Sequence, residues 1–185
     1  MSFQTAGLFG GAITVDLPAG FGDASNIRQI PDHQEVWLDG NGYSSIVFEI
    51  LERVDKPSDE EALQYHFADL VDDTGDSTNV LCQGKSGMPK IPSNPVLTLS
   101  FIQTPQSNPN PKRKEPEFVA IHLLLLRLPA QATDILATIN VPHYAGEYVK
   151  PAEGQGGTSL MRDGETVKAK ILESFDIKDW GLFVN

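Results

Sequence analysis

The segment 118–128 constrains the fold most, because its pattern is that of a β-strand with two apolar faces. Side chains alternate between the faces of a strand, so Leu124 and Leu126 fall on one side and Leu123 and Leu125 on the other. A strand that is apolar on both faces is usually covered on both faces. The segment therefore predicts the central strand of a sheet that has a packed layer above it and another below it.

Two helical segments flank the later strands and supply candidate layers. Ser58 is a suitable N-cap, and Glu61 three residues later completes a capping box. Val167 and Ile171 belong to an apolar stripe at helical spacing near the end of the chain. The strands between these helices are joined without an intervening helix, which favours antiparallel pairing. The pattern predicts an α/β (α+β) fold, a three-layer α/β/α sandwich around a largely antiparallel sheet.

The length of 185 residues suits one domain, which we assign to residues 1–185. A proline-rich stretch at 105–116 predicts a long exposed hairpin loop within it. That stretch contains Lys112-Arg113-Lys114, which is either a weak nuclear-import signal or a solvated loop tip, and the flanking prolines favour the loop tip.

The net charge of −11 is unevenly distributed along the chain. Residues 1–79 hold 15 of the 25 acidic side chains but only 3 of the 14 basic ones. A negative field repels nucleic acids and anionic membranes and favours a basic partner. The alternative is that the charge only keeps the protein in solution. We expect no nucleic-acid or membrane partner and a monomeric protein.

Motifs for covalent chemistry or cofactor binding are weak in this sequence. The four histidines lie singly, without the spacing of metal ligands, so we predict no cofactor and no metal. The run Gln83-Gly84-Lys85-Ser86 lacks the first glycine of a phosphate-binding loop, and we interpret it as an ordinary loop. The single cysteine, Cys82, excludes an internal disulfide and is expected to be a small buried side chain. We therefore predict a non-catalytic binding protein.

Targeting signals are also lacking at the start of the sequence. The N-terminus has neither a basic region nor a long apolar region, and the longest apolar run, Leu123–Leu126, is too short to span a bilayer. We expect a location in the continuum of cytoplasm and nucleus.

The segment 28–36 concentrates charge around a proline. Pro31 restricts the preceding residue to an extended conformation, so the loop should present Asp32 and Glu35 in a defined geometry. A stiff loop loses little conformational freedom on binding a partner. The alternative, equally open, is a structural turn in which Asp32 caps the backbone and Arg28 pairs with a neighbour.

Several motifs resemble the Ran guanine-nucleotide release factor family of small nuclear-import proteins. The first part of the chain carries the most specific ones, which are Leu8-Phe9-Gly10-Gly11-Ala12-Ile13, Pro18-x-Gly20-Phe21-x-Asp23-Ala24-Ser25 and Ile27-Arg28-x-Ile30-Pro31-Asp32-x-Gln34-Glu35-Val36. Weaker similarity continues through 45–52, 65–70 and 126–142. The sequence departs from the family around the proline-rich insertion and after Pro142.

The resemblance implies a PsbP-like sandwich, binding to the GTPase Ran, promotion of nucleotide release from Ran, and a nuclear location. It also implies an acidic Ran-binding surface, which by position contains Asp23, Arg28, Asp32, Glu35, Glu49 and Glu52. Glu49 and Glu52 are three residues apart, so a regular strand would place them on opposite faces unless a bulge or a frayed end intervened.

Two other functions are compatible with such a fold. One is an extrinsic photosynthetic subunit or another PsbP-like binding module without Ran activity. A lumenal subunit would need a targeting extension, and residues 1–8 are too short for one. The other is a hydrolase, which would show a cluster of titratable groups with perturbed pKa values in a deep pocket.

Overall fold

The computed structural model describes residues 1–106 and 114–184. Within these residues the chain forms ten strands and two α-helices. The strands are β1 (Phe3–Leu8), β2 (Ile13–Pro18), β3 (Phe21–Asp23), β4 (Gln34–Asp39), β5 (Ser45–Glu52), β6 (Ser77–Gly87), β7 (Pro95–Thr104), β8 (Phe118–Leu128), β9 (Thr133–His143) and β10 (Asp176–Ile177). The helices are α1 (Asp59–Val71) and α2 (Ser159–Ser174).

Seven of the strands form one antiparallel sheet in the order β3-β4-β5-β9-β8-β7-β6. Strand β8 pairs along most of its length with β7 on one side and β9 on the other. Leu124 and Leu126 belong to one buried cluster, whereas Leu123 and Leu125 belong to another. The prediction of a strand covered on both faces is confirmed.

The two clusters separate three layers. Helix α1 covers one face of the large sheet, where Leu63 packs with Leu123 and Leu125. Helix α2 covers the other face, where Val167 and Ile171 are buried. The predicted sandwich is confirmed, with one addition. A small antiparallel sheet in the order β1-β2-β10 shares the second outer layer with α2. Strands β1 and β10 were not predicted, because each gains its strand geometry by pairing with β2 rather than from its own residue pattern.

Local signals account for the starts of both helices. The Ser58 hydroxyl accepts the Glu61 N–H at 3.2 Å, so the predicted cap of α1 is confirmed. Thr158 caps α2 in the same way by accepting the Met161 N–H at 3.0 Å. Glycine at 164 lets α2 lie close to the sheet, because a Cβ there would be 3.0 Å from Val141 Cγ2.

The sequence prediction for β6 was wrong in two respects. The run Gln83–Ser86 lies in this strand rather than in a loop, and Lys85 pairs with Glu60 of α1 at 2.7 Å. Cys82 is exposed rather than buried. The reason is that β6 is the last strand of the sheet, and every residue in it is exposed. An apolar run on such an outer strand does not imply burial.

Two further expectations concern the loop and the membrane. The predicted loop at 105–116 falls largely on residues 107–113, so the Lys112-Arg113 part of its basic tip lies outside the described residues. Lys114 is described and pairs with Glu147 at 2.9 Å.

Neither α1 nor α2 has the length and apolar character needed to cross a membrane.

Candidate partner-binding site

The six residues of the predicted surface all lie along the β3-β4-β5 side of the large sheet. Asp23 ends β3, Arg28 and Asp32 belong to the loop before β4, and Glu35 lies in β4. Glu49 and Glu52 both lie in β5. All six residues therefore lie in the same part of the sheet, but their side chains point in different directions.

Three of these six residues, all of them carboxylates, line a single groove of about 610 Å³, called here the acidic groove. They are Asp23, Asp32 and Glu35. Phe9 and Leu182 supply apolar parts of the same groove. Sequence reasoning missed Leu182, because it comes from the far end of the chain and only tertiary folding brings it to this place.

Glu35 is the most constrained of these acids. Its carboxylate Oε1 accepts the Phe9 N–H at 2.6 Å. Partial burial raises the pKa of the Glu35 carboxyl, the Phe9 N–H acts in the opposite direction, and the nearby charge of Asp23 raises the pKa further. Glu35 is thus a half-buried acid whose ionised form gains from a nearby cation.

The Phe9 N–H that Glu35 binds belongs to an unusual turn. Phe9, Gly10 and Gly11 have φ values of 50°, 68° and 89°, so three successive residues are left-handed. Glycine adopts this region freely, but a phenylalanine there carries strain. The bond to Glu35 compensates part of that strain and fixes the turn against β4.

Asp23 is held by its own loop. Its two carboxylate oxygens accept the Ser25 N–H at 2.8 Å and the Ser25 hydroxyl at 2.7 Å. Asp23 therefore caps the short 3-10 turn Ala24–Asn26 and also contributes charge to the acidic groove.

The loop that follows this turn carries Arg28 and Asp32, which are both exposed. The Arg28 N–H donates to the Ala24 carbonyl at 3.0 Å, and the Gln34 N–H donates to the Pro31 carbonyl at 2.9 Å. These two backbone bonds fix the ends of the loop. Asp32 lies at the tip of the second turn, on the rim of the acidic groove.

Glu49 and Glu52 point to opposite faces of β5. The pairing between β5 and β9 runs without a shift from Ser45 to Glu52, so neither a bulge nor fraying brings the two acids together. Glu49 accepts a bond of 2.6 Å from the Gln34 side chain. Glu52 is exposed and lines a second groove of about 410 Å³, called here the β5-end groove, to which Leu182 also belongs. Glu52 therefore adjoins the acidic groove, and Glu49 does not share its face.

A second cluster of titratable groups lies away from this surface, and a hydrolase would be sought there. Burial lowers the pKa of His122 to about 4, the Glu165 charge raises it and the Lys168 charge lowers it. Ser100 Oγ lies 2.7 Å from His122 Nδ1, but Glu165 Oε1 lies 3.7 Å from the same nitrogen. A serine triad needs the hydroxyl and the carboxylate on opposite ring nitrogens. Ser100 is also only 2% exposed, so these three residues do not form a serine triad.

Comparisons with known proteins point to one family. Residues 6–142 match the family model described as Ran-interacting Mog1 protein. The chain is 35% identical to the nuclear import protein mog1 of Schizosaccharomyces pombe, over 73% of this chain and 75% of that protein. It is 31% identical to the Ran guanine nucleotide release factor of Danio rerio, over 95% of this chain and 97% of that protein.

A solved structure is similar over the full length. The Saccharomyces cerevisiae Ran-binding protein Mog1p matches with a TM-score of 0.78 and 26% sequence identity, and the alignment covers 100% of both chains. The similarity therefore includes the elements outside the family-model match, such as α2 and the C-terminal turn.

Proposed function

Because this chain belongs to the Mog1 family of Ran-interacting proteins, we propose that it binds the GTPase Ran and promotes release of Ran's guanine nucleotide. Relatives in fish and cattle are named Ran guanine nucleotide release factors, and those in two yeasts are named nuclear import proteins. These names support a role in nuclear protein import. They also support a distribution between nucleus and cytoplasm.

The observation that carries the proposed binding surface is the acidic groove. Asp23, Asp32 and Glu35 place three carboxylates around one concave site that has an apolar part. Lysine and arginine side chains suit such a site, because an aliphatic stem can lie on apolar atoms while the charge meets a carboxylate. Of the six predicted residues, these three form the centre of the proposed surface, Arg28 and Glu52 lie at its margins, and Glu49 lies on the other face of β5, outside it.

The proposed activity is a coupling between two binding equilibria. If the protein binds nucleotide-free Ran more tightly than nucleotide-bound Ran, then the affinity of Ran for its nucleotide falls by the same factor when the protein is bound. No covalent bond is made or broken by this chain in that process. The protein is accordingly a non-catalytic release factor.

The test measures loss of a fluorescent guanine nucleotide from Ran as the protein is added. We expect the wild-type protein to accelerate the loss, and we expect Asp32→Lys and Glu35→Lys to weaken Ran binding and the acceleration together. Charge reversal at the acidic groove should cost at least tenfold in affinity, since like charges then face each other.

Glu153→Lys provides a matched control, because it makes the same charge change at an exposed residue in the segment that follows β9. The acidic groove lies at the opposite end of the sheet, beside the end of β5 that pairs with the start of β9. Equal Ran affinity of the wild type, Asp32→Lys and Glu35→Lys would remove the acidic groove from the proposal. A wild-type protein that neither binds Ran nor changes nucleotide loss would overturn the proposed function itself.

A further inference from the structure

The C-terminal 3-10 turn, Trp180–Phe183, is fixed beside the acidic groove. The N–H groups of Lys178 and Asp179 both donate to the Ala12 carbonyl, at 2.8 and 3.0 Å. The Asp179 carboxylate then accepts the Gly181 N–H at 2.8 Å and caps the turn. These bonds hold the turn next to the left-handed Phe9–Gly11 segment, whose Phe9 lines the acidic groove.

Leu182 of this turn joins the two grooves. It is part of the acidic groove, where Glu35 lies, and also part of the β5-end groove, where Glu52 lies. The two acids reach these grooves from different strands, so Leu182 is the apolar element that both have in common. The turn lies beyond residues 6–142, the part of the chain that matches the family model.

Trp180 extends the same apolar element outward. Its side chain is 43% exposed. Its ring lies 5.9 Å from the ring of Phe183, and Phe183 lines the β5-end groove. A large aromatic side chain held on a capped turn loses little freedom on binding, and tryptophan is enriched among residues that dominate the energy of protein interfaces.

We infer that the Trp180–Phe183 turn is the apolar anchor of the Ran-binding surface, with Leu182 beneath the docked residues and Trp180 in direct contact with Ran. This inference rests on the proposed function and commits to Ran as the occupant. On one side of Leu182, the three carboxylates of the acidic groove complement a basic protein surface. On the other side, Glu52 adds a further carboxylate beside Arg53. Lysine or arginine side chains from that surface would place their stems on Leu182 and Trp180 and their charges on the acids.

The test compares Ran affinities of Trp180→Ala and Leu182→Ala with that of the wild type. We expect Trp180→Ala to weaken binding by about tenfold, and Leu182→Ala to weaken it to a similar degree. Trp180 packs on Phe183 and Leu182 is partly buried, so the thermal melting temperature of each variant is measured beside its Ran affinity. A Trp180→Ala protein that melts as the wild type does but binds Ran more weakly has lost a contact with Ran rather than its fold.

Tyr43→Ala is the matched control, since Tyr43 is another exposed aromatic residue (51%) and follows the far end of β4. It should bind Ran as the wild type does. The loss caused by Trp180→Ala should also persist at high salt, because an apolar contact is not screened by ions, whereas the effect of Asp32→Lys should shrink.

The outcomes separate this inference from the proposed function. If wild type binds Ran, Asp32→Lys weakens binding and Trp180→Ala binds as wild type does, the inference is overturned and the proposed function stands. If wild type does not bind Ran, the proposed function fails and the inference fails with it. If Trp180→Ala and Tyr43→Ala lower the affinity for Ran equally, the inference is also overturned, because the loss of affinity would not be specific to the turn.

Discussion

Glu35 accepts the backbone N–H of Phe9 at 2.6 Å, and this contact joins the large sheet to the small one. Glu35 lies in β4 of the large sheet, and Phe9 lies in the turn between β1 and β2 of the small sheet. The same carboxylate lines the acidic groove. One side chain therefore has a structural role and a proposed binding role, and substitutions can separate the two.

Replacing Glu35 should reveal both roles. Glu35→Ala leaves the Phe9 N–H without its acceptor and should lower the free energy of unfolding by about 1–2 kcal/mol. Glu35→Gln retains an acceptor but removes the charge, so it should keep most of the stability and still weaken Ran binding. Urea unfolding and a Ran titration on both variants check this. Equal stability of Glu35→Ala and wild type would show that the contact to Phe9 contributes nothing.

Ran affinity should decrease on mild acidification. Burial raises the pKa of the Glu35 carboxyl, so its negative charge begins to be lost at a higher pH than that of an ordinary glutamate. The charged form is the one that attracts a cation, and affinity therefore falls as pH falls through the raised pKa. Affinity measurements from pH 7.5 to 5 should show a smaller pH dependence for Glu35→Gln than for the wild type. An equal change of Ran affinity with pH in Glu35→Gln and the wild type would contradict this prediction.

The stability of the fold should also decrease on acidification, because of His122. Burial lowers the pKa of folded His122 to about 4 from the ordinary value of 6.5, so the unfolded chain binds the proton more tightly. The contribution of neutral His122 to the free energy of unfolding is fully present above about pH 6.5. It is lost as the pH falls towards 4, which lowers the free energy of unfolding by roughly 2–3 kcal/mol. Urea unfolding at several pH values measures this loss. In His122→Leu the free energy of unfolding should depend less steeply on pH between 6.5 and 4.

Gly164→Ala should destabilise the protein, although alanine favours helix by about 1 kcal/mol over glycine. The added Cβ would lie 3.0 Å from Val141 Cγ2 and 3.1 Å from His122 Nε2, so these two buried side chains must give by a few tenths of an ångström. We expect a net loss of about 1–2 kcal/mol in the free energy of unfolding. Gly156→Ala is the control, because nothing lies within 4 Å of its added Cβ. A stability gain in Gly164→Ala would show that the packing there is loose.

Local and periodic signals predicted most of the fold. Ser58 starts α1 through a contact within one helical turn, and the two apolar faces of 118–128 locate the centre of the sheet. Strands β1, β3 and β10 were missed, because pairing with β2 or β4 rather than their own pattern makes them strands. Cys82 was misplaced, because apolarity in a run does not reveal that its strand ends the sheet.

The candidate site was predicted only in part for the same reason. Asp32 and Glu35 are close in sequence, so a stiffened loop was enough to expect them together, and the spacing of Glu49 and Glu52 was enough to expect opposite faces. Leu182 and Phe9 come from the two ends of the chain. Their meeting depends on the docking of the small sheet and the C-terminal turn, which no short stretch of sequence encodes.

The exposed thiol of Cys82 provides one defined site for chemical attachment. It is the only cysteine in the chain and lies in β6, whereas the acidic groove lies on the β3-β4 side. Five steps between neighbouring strands, at about 4.8 Å each, separate β6 from β4. Attachment to a surface through maleimide chemistry would therefore present every molecule in the same way, with its carboxylate-lined side facing away from the surface.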